Sequence, residues 1–453
     1  MTGALIVPDQ ASWTMWGRDP GGLGFVPAAT PEHARCLLLP DPVPTALVGA
    51  VREAWQRMPA PRRYLSWPRE LPGTPVAEVL AEGAHDGGNG HHAHTDEHGD
   101  HDHHGDHGDR GDHGDMMAIV GDPSADGLVM ESIELALGPL AAGLPGGLVL
   151  DLSLDGDVVE RCEPRATLTM PLGEMAGGGG DPGASAAWTT VIALARERAA
   201  GTPADAETMR ARIAAVETER ALSHLTWMRG FGLVLGWSEL GERAHEAAAS
   251  LMPVRIEAER AGLTRLGAGE REELRAALEG PRRAVERLRR LLDGSRRLRS
   301  RTRGRAQLST RRLAQTDAGG PVARAAGLAR DARGGDPLYE ALGFRETTRP
   351  EGDTEARTLL RASEAAAALD LAGAALAGHG GEEAIAAGRP DDAVVEGPRG
   401  PVRASLRAGG LELSTPGTAA LLALAGEAVT GLELGAALAS VASFDLSGWS
   451  VSR

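Results

Sequence analysis

The sequence predicts an α+β chain: a small α/β part at the N-terminus, a linker, and a larger, mainly helical part with a small antiparallel sheet. Three observations predict it. The chain starts with strand–helix–strand patterning. A His/Asp/Gly run follows that has no apolar residues with which to build a core. The remainder shows helical periodicity interrupted by short alternating stretches. The three parts are residues 1–82, 83–115 and 116–453, and 453 residues suffice for two or three domains.

In the first part, Cys36-Leu37-Leu38-Leu39 is a short apolar run suited to a buried strand. From Thr45 to Met58, the residues Leu47, Val48, Val51, Ala54, Trp55 and Met58 recur on one helical side. Pro59 and Pro61 end that helix, and Tyr64-Leu65-Ser66-Trp67 suits a second strand. The second part interleaves ten histidines with Asp and Gly and is expected to be disordered. Imidazole and carboxylate together suit Zn²⁺, Ni²⁺ or Co²⁺, so His91, His92, His94, His98, His101, His103, His104 and His107 are candidate loose ligands. A flexible acidic linker is the other reading.

The third part opens with Val129, Glu131, Ile133 and Leu135 in alternation before Gly138-Pro139. Leu148, Leu150, Leu152 and Leu154 form one face of a strand, Asp155-Gly156 signals a hairpin, and Val158-Val159-Glu160 begins the return. A helix is predicted with Thr202 as N-cap, Pro203 at its first position and Asp205 as capping acid. Met209, Ile213, Val216, Arg220 and His224 lie along one face of it. Further helices are expected over Leu240–Leu251, Glu270–Leu292, Glu355–Leu376 and Pro416–Ser440, with strands between Val402 and Leu413.

Composition narrows the function classes. A net charge of −16 argues against a nucleic-acid binder. Every cationic side chain other than histidine is arginine, and arginine is densest from Arg282 to Arg312. That stretch suits contact with an acidic partner or with nucleic acid, or else a solvated helix face, which the interruptions at Glu286 and Asp293 and the absence of aromatic stacking residues favour. The two cysteines, Cys36 and Cys162, form no CxxC pair, whereas an iron–sulfur cluster normally takes four thiolates. No basic-then-apolar leader is present at the start, and the apolar stretch Thr418–Phe444 is broken by Glu427 and Glu433. The chain reads as soluble and cytoplasmic. No G-x-G-x-x-G follows a strand, so nucleotide binding finds no support.

Several segments of the third part resemble the nickel–iron hydrogenase large-subunit family and its counterpart in the peripheral arm of complex I, the NADH–quinone oxidoreductase. Glu217, Arg220, His224 and Leu225 fit an E-x-x-R-x-x-x-H-L helix. Gly320-Pro321 with Arg324, Ala325, Gly327, Asp331 and Arg333 fits G-P-x-x-R-A-x-G-x-x-x-D-x-R. Glu396 to Gly400, with Pro398 and Arg399, fits E-x-P-R-G, and Ser443-Phe444-Asp445, followed by Val451 and Arg453, sits where the family has S-x-D before its closing V-D-R. In the first part, Ser12-Trp13, Pro31 to Leu39 and Met58-Pro59 with Pro61-Arg62 resemble the hydrogenase small-subunit family and its own complex I counterpart.

The departures fall where those families do their chemistry. The small-subunit counterpart has a cysteine pair where this chain has Gly17-Arg18-Asp19-Pro20, and a further cysteine where it has Ser66-Trp67-Pro68-Arg69. The resemblance therefore implies that no iron–sulfur cluster is bound and no intrinsic cofactor is expected. The large-subunit counterpart has G-P-x-H-P-x-x-H-G in its first hairpin, with a histidine that contacts quinone. Here Gly138-Pro139-Leu140-Ala141-Ala142-Gly143-Leu144-Pro145-Gly146 carries none, and the stretch from Gly173 to Ala187 lacks the quinone-contacting tyrosine.

Three functions stay open. The first is a redox-silent peripheral subunit that sits on antiporter-like, ion-translocating membrane chains at the inner face of the membrane. The second is an active NADH–quinone oxidoreductase subunit with substituted residues. The third is a metal-handling protein driven by the His-rich segment. Glu217, Arg220, His224, Arg324, Asp331, Arg333, Glu396, Arg399 and Asp445 are the candidate network, either coupling or structural. Whether the chain is an enzyme is open on these grounds.

Overall fold

The computed structural model describes residues 2–69, 71–81, 132–170, 184–263, 266–379, 393–407 and 410–451. The architecture is α+β, as expected. At the N-terminus, β1 (Thr2–Ile6), α1 (Gln10–Met15), β2 (Phe25–Pro27), β3 (Cys36–Asp41), β4 (Val43–Pro44), α2 (Val48–Arg57), β5 (Arg63–Pro68), β6 (Gly73–Thr74) and α3 (Val76–Ala81) follow one another. Four of these strands form a parallel sheet in the order β2-β1-β3-β5.

A parallel sheet is covered on both faces, so its inner strands read as continuous apolar runs. Leu5, Val7, Leu37 and Leu39 pack on Val51, Ala54 and Val79 from α2 and α3. Their alternates Ala4, Ile6, Cys36 and Leu38 pack on Trp13 of α1. The Cys36 run is thus a buried strand, as its composition suggests. Beyond the run, the strands Thr2–Ile6 and Phe25–Pro27 complete a sheet of which the sequence shows only half.

The rest of the chain begins with the antiparallel sheet β7 (Ile133–Leu137), β8 (Leu148–Asp155) and β9 (Val158–Ala166), turned at Gly156 with φ +61°. β10 (Leu168–Met170) pairs in parallel with β14 (Trp449–Val451). A second antiparallel sheet joins β11 (Ala393–Gly397), β12 (Gly400–Arg407) and β13 (Gly410–Ser414). The single small sheet expected is therefore two sheets plus a strand pair.

The helices are α4 (Ser185–Ala200), α5 (Ala206–Val234), α6 (Ser238–Leu263), α7 (Ala268–Ala277), α8 (Glu279–Asp293), α9 (Arg296–Thr302), α10 (Thr310–Ala314), α11 (Gly320–Arg324), α12 (Pro337–Ala341), α13 (Thr354–Leu376), α14 (Thr418–Val429) and α15 (Leu434–Phe444). Three boundaries differ from expectation. Asp205, not Thr202, caps α5, its carboxylate accepting the Thr208 N–H at 2.8 Å. Thr202 instead closes α4 by donating to the Glu197 carbonyl. The stretches expected as single helices over Glu270–Leu292 and Pro416–Ser440 are each two, broken at Leu278 and at Gly431.

Among the arginines from Arg282 to Arg312, Arg282 pairs with Asp370, Arg289 with Glu286 and Asp293, Arg303 with Glu355, and Arg312 with Glu427. A solvated, ion-paired face accounts for them. α5 runs through the main core, flanked by α6 and α13. One apolar cluster contains side chains of the N-terminal sheet, of α4 and of β11 to β13, so the two parts share a core. Among the described residues no helix is long and apolar enough to cross a membrane.

Candidate functional site

α5 is buried continuously from Ile213 to Met228, so its polar side chains must find partners inside the protein. Glu217, Arg220 and His224, all fully buried, do so. Arg220 donates to Glu217 at 3.0 and 3.3 Å and to the carbonyls of Gly397 at 2.8 Å and Glu396 at 2.5 Å. Arg333 reaches the same Glu217 carboxylate at 3.1 Å, and the Tyr339 hydroxyl donates to it at 2.9 Å.

Arg324 is the hub. Its Nε donates to Glu364 at 2.6 Å, and its Nη1 lies 2.7 Å from Glu396 and 3.1 Å from Asp331. Asp331 also accepts from Arg333 at 2.7 Å. His224 Nε2 lies 3.3 Å from Glu364. At the far end Asp445 bridges Arg361 and Arg399, at 3.2 Å from each. Five carboxylates thus meet five guanidinium groups, tying α5, α11, α13, β11 and the C-terminal turn together.

Electrostatics fix the protonation of these groups. Burial works against ionisation of Asp331, yet Arg324 and Arg333 hold its carboxyl at about 2. The same balance, led by Arg324, keeps Glu364 well below the usual range. Burial pushes His224 down to about 4, outweighing Glu364. The neutral ring then donates from Nε2, and its buried Nδ1 has no partner among the described residues. Behind α5, Glu219 accepts the N–H groups of Ala186 and Ala187 at the start of α4, at 2.7 and 3.1 Å. Burial and the nearby Glu259 push its carboxyl up to about 8.

Two motifs separated in sequence interlock here. Gly320 sits at φ +67°, and a Cβ there would collide with the Arg399 carbonyl. The Gly320-Pro321 turn and the Arg399-Gly400 turn therefore nest, bringing Arg324 beside Glu396.

A cavity of about 1110 Å³, its open mouth included, lies where the N-terminal sheet meets the larger part. Strand order reverses between β1 and β3, and a crevice at such a switch point is where doubly wound sheets bind ligands. Pro8 and Asp9, just past β1, face the turn from Leu140 to Gly146 across it. Asp9 accepts the Gly146 N–H at 2.7 Å, and a Cβ on Gly146 would strike the Pro8 backbone. Arg399 and Asp445 line the same cavity, so it touches one end of the buried network. The turn offers it alkyl groups and backbone only.

The two stretches compared above with the small-subunit family's cysteine positions come together at the sheet's edge. Arg18 lies over the Trp67 ring at 3.4 Å, and Arg69 lies over Trp16 at 4.7 Å. Guanidinium and indole are not cluster ligands. Cys36 faces α1 inside the sheet, and Cys162 lies on β9. Among the described residues, no three His, Cys, Asp or Glu side chains are grouped to hold a metal. The residues present do not fit an iron–sulfur cluster. The His-rich candidates from His91 to His107 lie outside the described residues, as does the Gly-rich stretch from Gly173 to Gly183.

The structure brings all nine candidate residues into one region. It adds Glu364, Arg361 and Tyr339, which the sequence reading missed. Arg357, Arg361 and Glu364 recur at i, i+4 and i+7 in an alanine-rich helix, the same signal that picks out Glu217, Arg220 and His224.

Comparison with known proteins follows the same lines. Residues 263–401 match the family described as respiratory-chain NADH dehydrogenase, 49 Kd subunit. No curated protein sequence matches the chain. A chain in the structure of the membrane-bound sulfane sulfur reductase, an archaeal respiratory membrane complex, is similar with a TM-score of 0.58 and 19% identity. The likeness covers 69% of this chain and 96% of that one, and at such identity it concerns the fold. The family likeness thus spans residues 263–401, about a third of the chain, and takes in Arg324, Asp331, Arg333, Glu364, Glu396 and Arg399 of the buried network.

Proposed function

We propose that this chain is a redox-silent peripheral subunit of a complex I-like membrane assembly, where it docks neighbouring subunits, antiporter-like membrane chains among them, without passing electrons. The observation that carries this reading is the pair of Arg–Trp stacks, Arg18 on Trp67 and Arg69 on Trp16, in the stretches where the small-subunit family has cysteines. The family match and the likeness to a respiratory-complex chain support membership of such an assembly. The charge-balanced network supports a structural role, since each of its carboxylates is held by arginine.

The test is genetic and biochemical. Depleting the chain is expected to release neighbouring subunits from the assembly. Glu217→Gln is expected to leave quinone-dependent turnover of the assembled complex unchanged. Turnover lost while the assembly stays intact would instead support the second reading, quinone handling with substituted residues, which the cavity beside the Leu140–Gly146 turn favours.

A further inference from the structure

β5 borders the parallel sheet, and among the described residues nothing pairs with its outer edge. β1 and β3 are covered on both faces, but among the described residues β5 is not: Tyr64 is 48%, Leu65 43% and Trp67 36% exposed. An open strand edge with large apolar side chains is a template for another strand, and soluble proteins normally cover or blunt it.

The composition around this edge is unusual for the chain. Aromatic residues make up 3% of the sequence, yet three of its eight tryptophans (Trp16, Trp55, Trp67) and one of its two tyrosines (Tyr64) gather here. Each tryptophan carries an arginine on its face, the third pair being Arg62 over Trp55 at 4.6 Å. Trp55 also meets Tyr64 edge-on at 6.2 Å. Trp, Tyr and Arg are the residues enriched in interface hot spots. Side chains already held by stacking lose little freedom on binding.

We propose that the outer edge of β5 is a docking site for an extended segment of a partner protein in the assembly, added as a further strand, with acidic residues flanking an apolar centre. This rests on the docking role above and names the surface. Main-chain hydrogen bonds supply the affinity, and the exposed Tyr64, Leu65 and Trp67 select apolar side chains in alternation. Charge selects the ends: Arg62 and Arg63 stand at the start of β5 and Arg69 just past its finish. A second copy paired antiparallel across a two-fold axis would set Arg62 against Arg69, a like-charge contact. An acidic segment gains where a second copy loses.

The experiment places p-benzoylphenylalanine at position 65, as Leu65→p-benzoylphenylalanine, in the full chain within its purified assembly, followed by irradiation and mass spectrometry. The expected result is one dominant cross-link to an acidic, extended segment of a different protein of the assembly. Its yield should fall about tenfold when Arg62→Glu and Arg69→Glu are combined, with the fold checked by circular dichroism. A cross-link to a second copy, to residues 82–131 of the same chain, or to nothing would overturn the proposal, as would a yield indifferent to charge reversal. A chain that stays in the assembly without cross-linking refutes this surface and leaves the docking role standing. A chain that joins no assembly refutes both.

Discussion

Arg324 makes the largest demands of any side chain in the buried network. It is fully buried and faces Glu364, Glu396 and Asp331 at 2.6 to 3.1 Å. Removing one member of a buried ionic cluster strands the others in a poorly solvating interior. Arg324→Leu is predicted to destabilise the chain by about 3–5 kcal/mol, read from urea unfolding. A loss near zero would show that water or rearrangement replaces the guanidinium. His224 and Glu219 give opposite pH signatures. The folded imidazole stays neutral down to about 4, whereas an exposed one takes a proton near 6.5. The unfolded chain gains that proton first, so stability falls as pH drops from 6.5 toward 4. The folded Glu219 carboxyl keeps its proton up to about 8, against 4.5 when exposed. Its contribution is therefore lost as pH rises from 4.5 through 8. In a Tm profile, His224→Gln should flatten the acid limb and Glu219→Gln the alkaline one; unchanged limbs would refute the assignments.

At the scale of elements, caps and turns decide where helices stop. Asp205→Ala should cost about 1 kcal/mol in thermal unfolding by removing the α5 cap, while Thr202→Ala should have little effect. If Thr202 proves the costlier of the two, the helix starts earlier than described. The sequence placed α5 and its buried face correctly because Glu217, Arg220 and His224 repeat at helical spacing. It misplaced the cap because Thr202-Pro203 imitates a helix start, while Gly201 at φ +66° is still ending α4. The split at Leu278 was hidden because Leu278 keeps helical backbone angles and the apolar period runs across it. Glu364 was missed for a different reason. Its partners Arg324 and His224 lie 40 and 140 residues away, and the packing of α13 on α5 and α11 brings them together.

For the whole molecule, what was legible is the set of residues that bury charge in fixed positions. Glu217, Arg324 and Asp331 each hold more than one charged partner. What was not legible is the join between the two parts: the shared apolar cluster, the bond from Asp9 to Gly146, and the cavity between them. These arise from elements more than a hundred residues apart, and no local pattern encodes them. The proposed redox-silent role stands or falls at the edge of the N-terminal sheet, where Arg18 stacks on Trp67 and Arg69 on Trp16. Iron and sulfide analysis with EPR on the anaerobically purified full chain decides it. Iron is predicted to lie far below one cluster per chain, with no cluster signal on reduction. A stoichiometric cluster with its signal, abolished by changing residues around Trp16 and Trp67, would contradict that reading.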